Sequence, residues 1–151
     1  MYMQLKIIII FFFILFTNNI FAKDKDYFMS LKYNTVNVRQ GPSSEHPIKF
    51  IYKKKYLPVK IIDNFENYRK FIDLYDNSGW IHVSQLSSKK TALNIKEKNL
   101  LLKKPQIYSK PLAQIEKGKL IIIKKCKDNW CKVLINKYVG WIRKNTIWGK
   151  T

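Results

Sequence analysis

Val36-Asn37-Val38-Arg39-Gln40-Gly41-Pro42-Ser43, answered downstream by Gly79-Trp80-Ile81-His82, carries the pattern from which the fold is read. Val36 and Val38 alternate with Thr35, Asn37 and Arg39, the period-two signature of a strand with one buried face. Gly41-Pro42-Ser43-Ser44 then imposes a turn, and Pro47 breaks any helix beyond it. Alternation resumes at Ile48, Phe50 and Tyr52, and again at Leu57, Val59 and Ile61. Asn64 to Asn67 supply turn chemistry, Tyr68 to Leu74 returns as a strand, Asp76-Asn77-Ser78-Gly79 is the tightest turn signal, and Trp80 to Val83 closes the set. Five short strands with no helical period between them predict a small, strongly bent antiparallel barrel.

A diverged copy follows. Pro47-Ile48 falls on Pro111-Leu112, Ile51 on Ile115, Lys53 on Lys117 and Val59 on Ile123, all at a spacing of 64. After a shift of two, Asn67-Tyr68 falls on Asn129-Trp130, Lys70 on Lys132 and Phe71 on Val133; after one more, Gly79-Trp80-Ile81 falls on Gly140-Trp141-Ile142. Shifts confined to turns are what duplicated β-domains show, because loops absorb length changes and strands do not. The expected architecture is all-β: two tandem small antiparallel barrels, 33–87 and 99–149, joined by a polar linker 88–98 on which Leu93 and Ile95 pack, after an N-terminal signal peptide, 1–22.

That leader combines Lys6, the apolar run Ile7 to Phe16, a polar exit at Thr17-Asn18-Asn19, and Ile20 and Ala22 at −3 and −1 of a cleavage site before Lys23. The rival reading is an uncleaved membrane anchor, for which the run is short of the roughly 20 apolar residues a spanning helix needs. Without a cysteine nearby, a lipoprotein anchor is not supported. Cleavage implies export to the periplasm or beyond, an oxidising space, with no transmembrane segment in the remainder.

The chain carries 29 Lys and Arg against 10 Asp and Glu, a formal charge of +19, yet only Arg39, Arg69 and Arg143 are arginines. Planar bidentate recognition of phosphate favours Arg over Lys. The charge is therefore read mainly as a solubilising surface with weak, salt-sensitive affinity for anionic polymers.

At the opening residues the chain resembles the bacterial SH3-like family, whose first strand and turn read approximately V-N-V-R-x-G-P-S and whose last strand begins G-W-V or G-W-I. The first copy matches both motifs; the second keeps Gly140-Trp141-Ile142 but opens on Leu101-Leu102-Lys103-Lys104-Pro105. Cys126-Lys127-Asp128-Asn129-Trp130-Cys131 is similar to a Cys-x4-Cys hairpin, with Trp before the second Cys, that occurs in proteobacterial members. The resemblance covers residues 33 to 149 and implies SH3-like barrels that recognise peptides or cell-wall material and position another activity through a partner. Export and the short loop make a Cys126–Cys131 disulfide the expected state. Gly41 and Gly79 are expected at turns that demand φ > 0, Trp80 and Trp141 in core or half-buried packing rather than as a ligand platform, and Arg39 as a structural donor.

His46 and His82, the only histidines, lie near Ser43, Ser44 and Ser84 with no nucleophile motif, and no P-loop, dinucleotide or zinc pattern occurs. Asp63, Glu66, Asp73 and Asp76 read as surface ion-pair partners in a lysine-rich chain. No catalytic residue, metal or cofactor is expected. The function expected is a non-catalytic envelope binding or adaptor module that recognises peptidoglycan or an envelope protein or peptide through loop aromatics. The candidates are Tyr52, Tyr56, Phe65 and Tyr68 in the first copy and Tyr108 and Trp130 in the second. The alternative is a lysine-rich electrostatic adaptor for an anionic surface, either membrane headgroups or nucleic acid; the exported location and the missing recognition motif disfavour nucleic acid. A third reading is a structural tandem whose barrels pack on each other or on a partner.

Overall fold

The computed structural model describes residues 26–151; the expected signal segment 1–22 lies outside them. The first unit comprises β1 (Tyr27–Leu31), β2 (Val36–Arg39), β3 (Ile48–Tyr52), β4 (Pro58–Phe65), β5 (Tyr68–Ile72), β6 (Ser78–His82), a 3-10 turn at Val83–Gln85 and β7 (Leu86–Ser87). The second repeats the series as β8 (Thr91–Asn94), β9 (Lys98–Leu102), β10 (Pro111–Glu116), β11 (Leu120–Lys127), β12 (Trp130–Ile135), β13 (Tyr138–Arg143), a 3-10 turn at Lys144–Thr146 and β14 (Ile147–Gly149). Each unit is one antiparallel sheet of seven strands, in the order β3-β2-β6-β5-β4-β1-β7 and its counterpart β10-β9-β13-β12-β11-β8-β14.

The alternation read from the sequence becomes burial. Val36 and Val38 are fully enclosed while Asn37 and Arg39 face outward, and with Val59, Ile61, Phe71 and Ile81 they build the first core. Leu101, Ile121, Val133 and Ile142 take the same places in the second, with Cys131 among them. Trp80 and Trp141 are half-buried. Among the described residues no helix is long and apolar enough to cross a membrane.

Three expectations are corrected. The stretch 88–98 is not a linker throughout, since Thr91–Asn94 is a strand buried at all four positions, paired with β11 on one side and β14 on the other. It is the second copy of β1, which likewise lies outside the expected first barrel and pairs with β4 and β7. Its polarity is misleading because Asn94 is satisfied inside the fold: its Nδ2 donates to the carbonyls of Lys96 (2.8 Å), Glu116 (2.9 Å) and Ile115 (3.1 Å), and its Oδ1 accepts from Asn99 Nδ2 at 2.9 Å.

The second correction concerns the internal register. Ile61 pairs with Phe71 as Ile123 pairs with Val133, so the counterpart of Val59 is Ile121, not Ile123. Val38 pairs with Phe50 as Leu101 pairs with Ala113, so the β2–β3 hairpin repeats at a spacing of 63: Ile48 corresponds to Pro111 and Ile51 to Gln114, not to Leu112 and Ile115. The spacing falls to 62 before β4, where the connection 53–57 is replaced by the shorter 117–119.

The third concerns glycine. Neither Gly41 nor Gly79 has positive φ. Gly79 is required by close approach, since a Cβ there would overlap the Val38 side chain; at the equivalent Gly140 it would sit 2.7 Å from Leu101 Cγ and 2.8 Å from the Leu102 carbonyl oxygen. Arg39 acts as expected, its Nη1 donating to the His46 carbonyl at 2.7 Å.

Candidate functional site

The β11–β12 hairpin ends in a two-residue turn, Asp128-Asn129, with Asp128 in the left-handed region at φ 52. Cys126 and Cys131 are register partners and form a disulfide across a Cα separation of 4.0 Å. This staple sits beside the closing pair Lys127–Trp130 and restricts how the Trp130 backbone can move. On its other side Trp130 pairs with Arg143 of β13, whose guanidinium lies over the indole at 5.6 Å from the ring centre. The Asn129 carbonyl accepts from the Lys144 amide at 2.9 Å, tying the hairpin tip to the 3-10 turn.

The facing wall comes from the β9–β10 loop. Ser109, only 8% exposed, accepts the Lys104 amide on its hydroxyl at 2.8 Å, while the Lys103 amide donates to the Lys110 carbonyl at 3.0 Å. Folded on this anchor, the loop pushes its apolar residues outward: Ile107 is 62% and Tyr108 97% exposed. Between loop and hairpin runs an open cleft of about 490 Å³ lined by Gln106, Ile107, Tyr108, Asn129, Trp130, Arg143 and Asn145.

Its chemistry is mixed. An indole face and two exposed apolar side chains offer stacking area, three amide side chains offer donors and acceptors, and Arg143 offers a permanent cation. Arg143 has no ion-pair partner among the described residues, so its donors are available to a carboxylate.

Of the residues singled out from sequence, Tyr108 and Trp130 meet in this cleft. Phe65, 51% exposed, is the cross-strand partner of Tyr68 at the matching hairpin of the first unit, and Tyr68 meets His82 edge-on at 5.1 Å. Tyr52 sits elsewhere and faces inward, against Phe50 at 5.3 Å and Phe71 at 6.0 Å, its hydroxyl donating to Asp73 Oδ2 at 2.6 Å. Burial first, then the bond to the Asp73 carboxylate, drives the Tyr52 phenol far above its ordinary range. Tyr56 occupies another loop, with Lys89 Nζ at 3.9 Å and Lys55 Nζ at 4.8 Å from its ring centre. Hydrogen bonding from Lys55, then from Lys89, draws its phenol below the ordinary value.

The cleft also uses Gln106, Ile107, Asn129, Arg143 and Asn145, which sequence reasoning did not select. Arg143 was the findable one: a rare arginine in a lysine chain marks a place where a planar fork matters.

A family model described as the bacterial SH3 domain matches residues 32–88 and again 96–149. The chain belongs to the bacterial SH3 domain family. Its two SH3 domains are in tandem, and the Trp130 cleft belongs to the second. None of the curated proteins compared with the chain matches it. Among solved structures it is similar to NlpC2 from Trichomonas vaginalis (14% identity, TM-score 0.37, covering 85% of this chain and 50% of that one). NlpC1 from Trichomonas vaginalis is matched at 14% identity and TM-score 0.37, over 85% of this chain and 48% of that one. An NlpC/P60 family protein from Bacillus cereus is matched at 13% identity and TM-score 0.36, over 80% and 55%. The chain spans about half the length of these structures, and likenesses this loose carry no argument about its function.

Proposed function

We propose that the protein is an exported, non-catalytic binding module whose second SH3 domain holds an extended, carboxylate-bearing segment of peptidoglycan or of an envelope protein. The observation that carries this reading is the Trp130 cleft: a stapled indole, an unpaired guanidinium and an exposed Tyr108 converge from three separate segments on one open surface. An open trough with amides along its walls suits an extended polar chain better than a small apolar ligand, which needs enclosure. The leader pattern of residues 1–22 and the disulfide support an oxidising, exported location.

Co-sedimentation with purified peptidoglycan, beside a pull-down from envelope extract, tests the proposal. Retention by at least one is expected, with Trp130→Ala and Arg143→Ala each weakening it about tenfold, the equivalent of ~1.4 kcal/mol. Binding should persist at high ionic strength. Loss of binding in salt, together with indifference to Trp130→Ala, would leave a lysine surface acting by charge alone.

A further inference from the structure

The first SH3 domain repeats the framework of the cleft with one chemical substitution. Tyr68 stands opposite His82 in the β5–β6 ladder as Trp130 stands opposite Arg143 in the β12–β13 ladder. The rings of Tyr68 and His82 lie 5.1 Å apart, against 5.6 Å between the Arg143 guanidinium and the Trp130 ring. Asn67 precedes Tyr68 as Asn129 precedes Trp130, and each asparagine carbonyl accepts the amide just after the basic residue, Val83 at 2.8 Å and Lys144 at 2.9 Å. Ser84 and Asn145 then take the same position in the two 3-10 turns. An imidazole stands where the second domain has a guanidinium.

We infer that Tyr68 and His82 form a second subsite for the same carboxylate-bearing ligand, closed to it at neutral pH and opened by protonation of His82. The inference rests on the function proposed for the Trp130 cleft. Arginine is charged at every physiological pH, whereas histidine changes charge around its ordinary pKa of about 6.5. A carboxylate remains ionised well below that value.

The local bonding suits such a change. His82 Nδ1 is 2.7 Å from the Ser84 hydroxyl, which donates to a neutral ring and accepts from a protonated one, so the ring keeps its place in both states. The weaker bond from the Ser84 amide, at 3.3 Å, is given up on protonation. No described group bonds Nε2, which is left to the ligand.

The charged and titratable side chains on the surrounding elements are Tyr68, Arg69 and Lys70 of β5, Arg39 of β2, Glu66 of the β4–β5 turn, and Glu45 and His46 of the β2–β3 loop. Two of these cations are engaged elsewhere: Arg69 Nη1 donates to the Glu66 and Tyr68 carbonyls, and Arg39 Nη1 to that of His46. The opposite wall is polar too. The Gln40 amide donates to the Pro47 carbonyl as the Lys103 amide does to that of Lys110, so the loops correspond at a spacing of 63 and Ser44 and Glu45 replace Ile107 and Tyr108, setting a carboxylate against the ligand until His82 is charged. With less apolar area available, this subsite depends more heavily on its cation.

The test is NMR of the full chain titrated with soluble peptidoglycan fragments at pH 5.5 and 7.5, reading the His82 imidazole and the Trp130 indole N–H. Trp130 should shift at both pH values and His82 only at 5.5, with binding at the first site lost at 7.5. His82→Arg should make the first domain respond at both pH values. In Trp130→Ala protein, the residual binding should keep the pH dependence that His82→Arg removes. A silent His82 beside a responding Trp130, or a His82 response equal at both pH values, overturns the gated subsite and leaves the proposed function standing. Silence of both reporters at both pH values overturns the subsite and removes peptidoglycan as the ligand of the Trp130 cleft; if the pull-down from envelope extract also fails, the proposed function falls with it.

Discussion

Tyr56 and Gly118 hold one backbone position in the two domains. The Tyr56 amide donates to the Leu31 carbonyl at 2.9 Å and the Gly118 amide to that of Asn94 at 2.8 Å, and both residues are left-handed, at φ 65 and 75. Glycine adopts that region freely and tyrosine does not. Replacing Tyr56 by Gly or by Ala removes the same ring, but only Gly relieves the backbone. Tyr56→Gly should therefore melt higher than Tyr56→Ala by about 5 °C, measured by circular dichroism.

Asp73 is the other residue whose role is set by its neighbours. Its Oδ1 accepts the amides of Tyr75 (2.8 Å) and Asn77 (2.9 Å), and its Oδ2 accepts Asn77 Nδ2 (2.9 Å) and the Tyr52 hydroxyl (2.6 Å). Burial pushes its carboxyl up, but the bonds from Tyr52, Asn77 and Tyr75 together outweigh it and hold the group below its ordinary 3.8. A lowered carboxyl stabilises the fold above its unfolded value, and that contribution is lost as pH falls through the folded one. Asp73→Ala should cost about 1–3 kcal/mol in urea unfolding at pH 6, and the gap to the parent should narrow below pH 3.8.

Among elements, the β11–β12 hairpin concerns both stability and the site. Its disulfide closes a very short loop, which by chain entropy stabilises the second domain by about 2 kcal/mol. The double variant Cys126→Ser/Cys131→Ser should lose about that much in chemical denaturation. It should also bind wall fragments more weakly, because Trp130 adjoins the staple. A variant that loses stability but binds as before would show that the staple serves the fold alone. The matching hairpin, Phe65 to Tyr68, turns without a staple. It is legible from the turn chemistry of Asn64 to Asn67, a local signal, whereas its partner is read from the resemblance to a Cys-x4-Cys hairpin.

At the scale of the molecule, the domains are joined through an aromatic pair. Phe28 of β1 meets Trp148 of β14 edge-on, with ring centres 4.9 Å apart. Lys150 Nζ, just beyond β14, donates to the Ser88 carbonyl at 3.3 Å, back on the chain that leaves β7. Trp148→Ala should leave each domain folded and loosen their coupling: calorimetry should resolve two transitions, the lower at least several degrees below the parent. A single unshifted transition would mean that the aromatic contact contributes nothing to cooperativity.

The amino-acid sequence determined the strands from Val36 onward, the turns, the duplication and the paired cysteines, because alternation, Gly-Pro punctuation and Gly-Trp ends are local features. The first strand of each sheet was decided only by tertiary structure. Thr91-Ala92-Leu93-Asn94 has no alternation to read, and Asn94 becomes a core residue only when the Ile115 and Glu116 carbonyls arrive from β10. The cleft depends on the same distant assembly. Tyr108, Trp130 and Arg143 come from three separate segments, and their convergence requires the sheet that brings β12 against β13 beneath the β9–β10 loop.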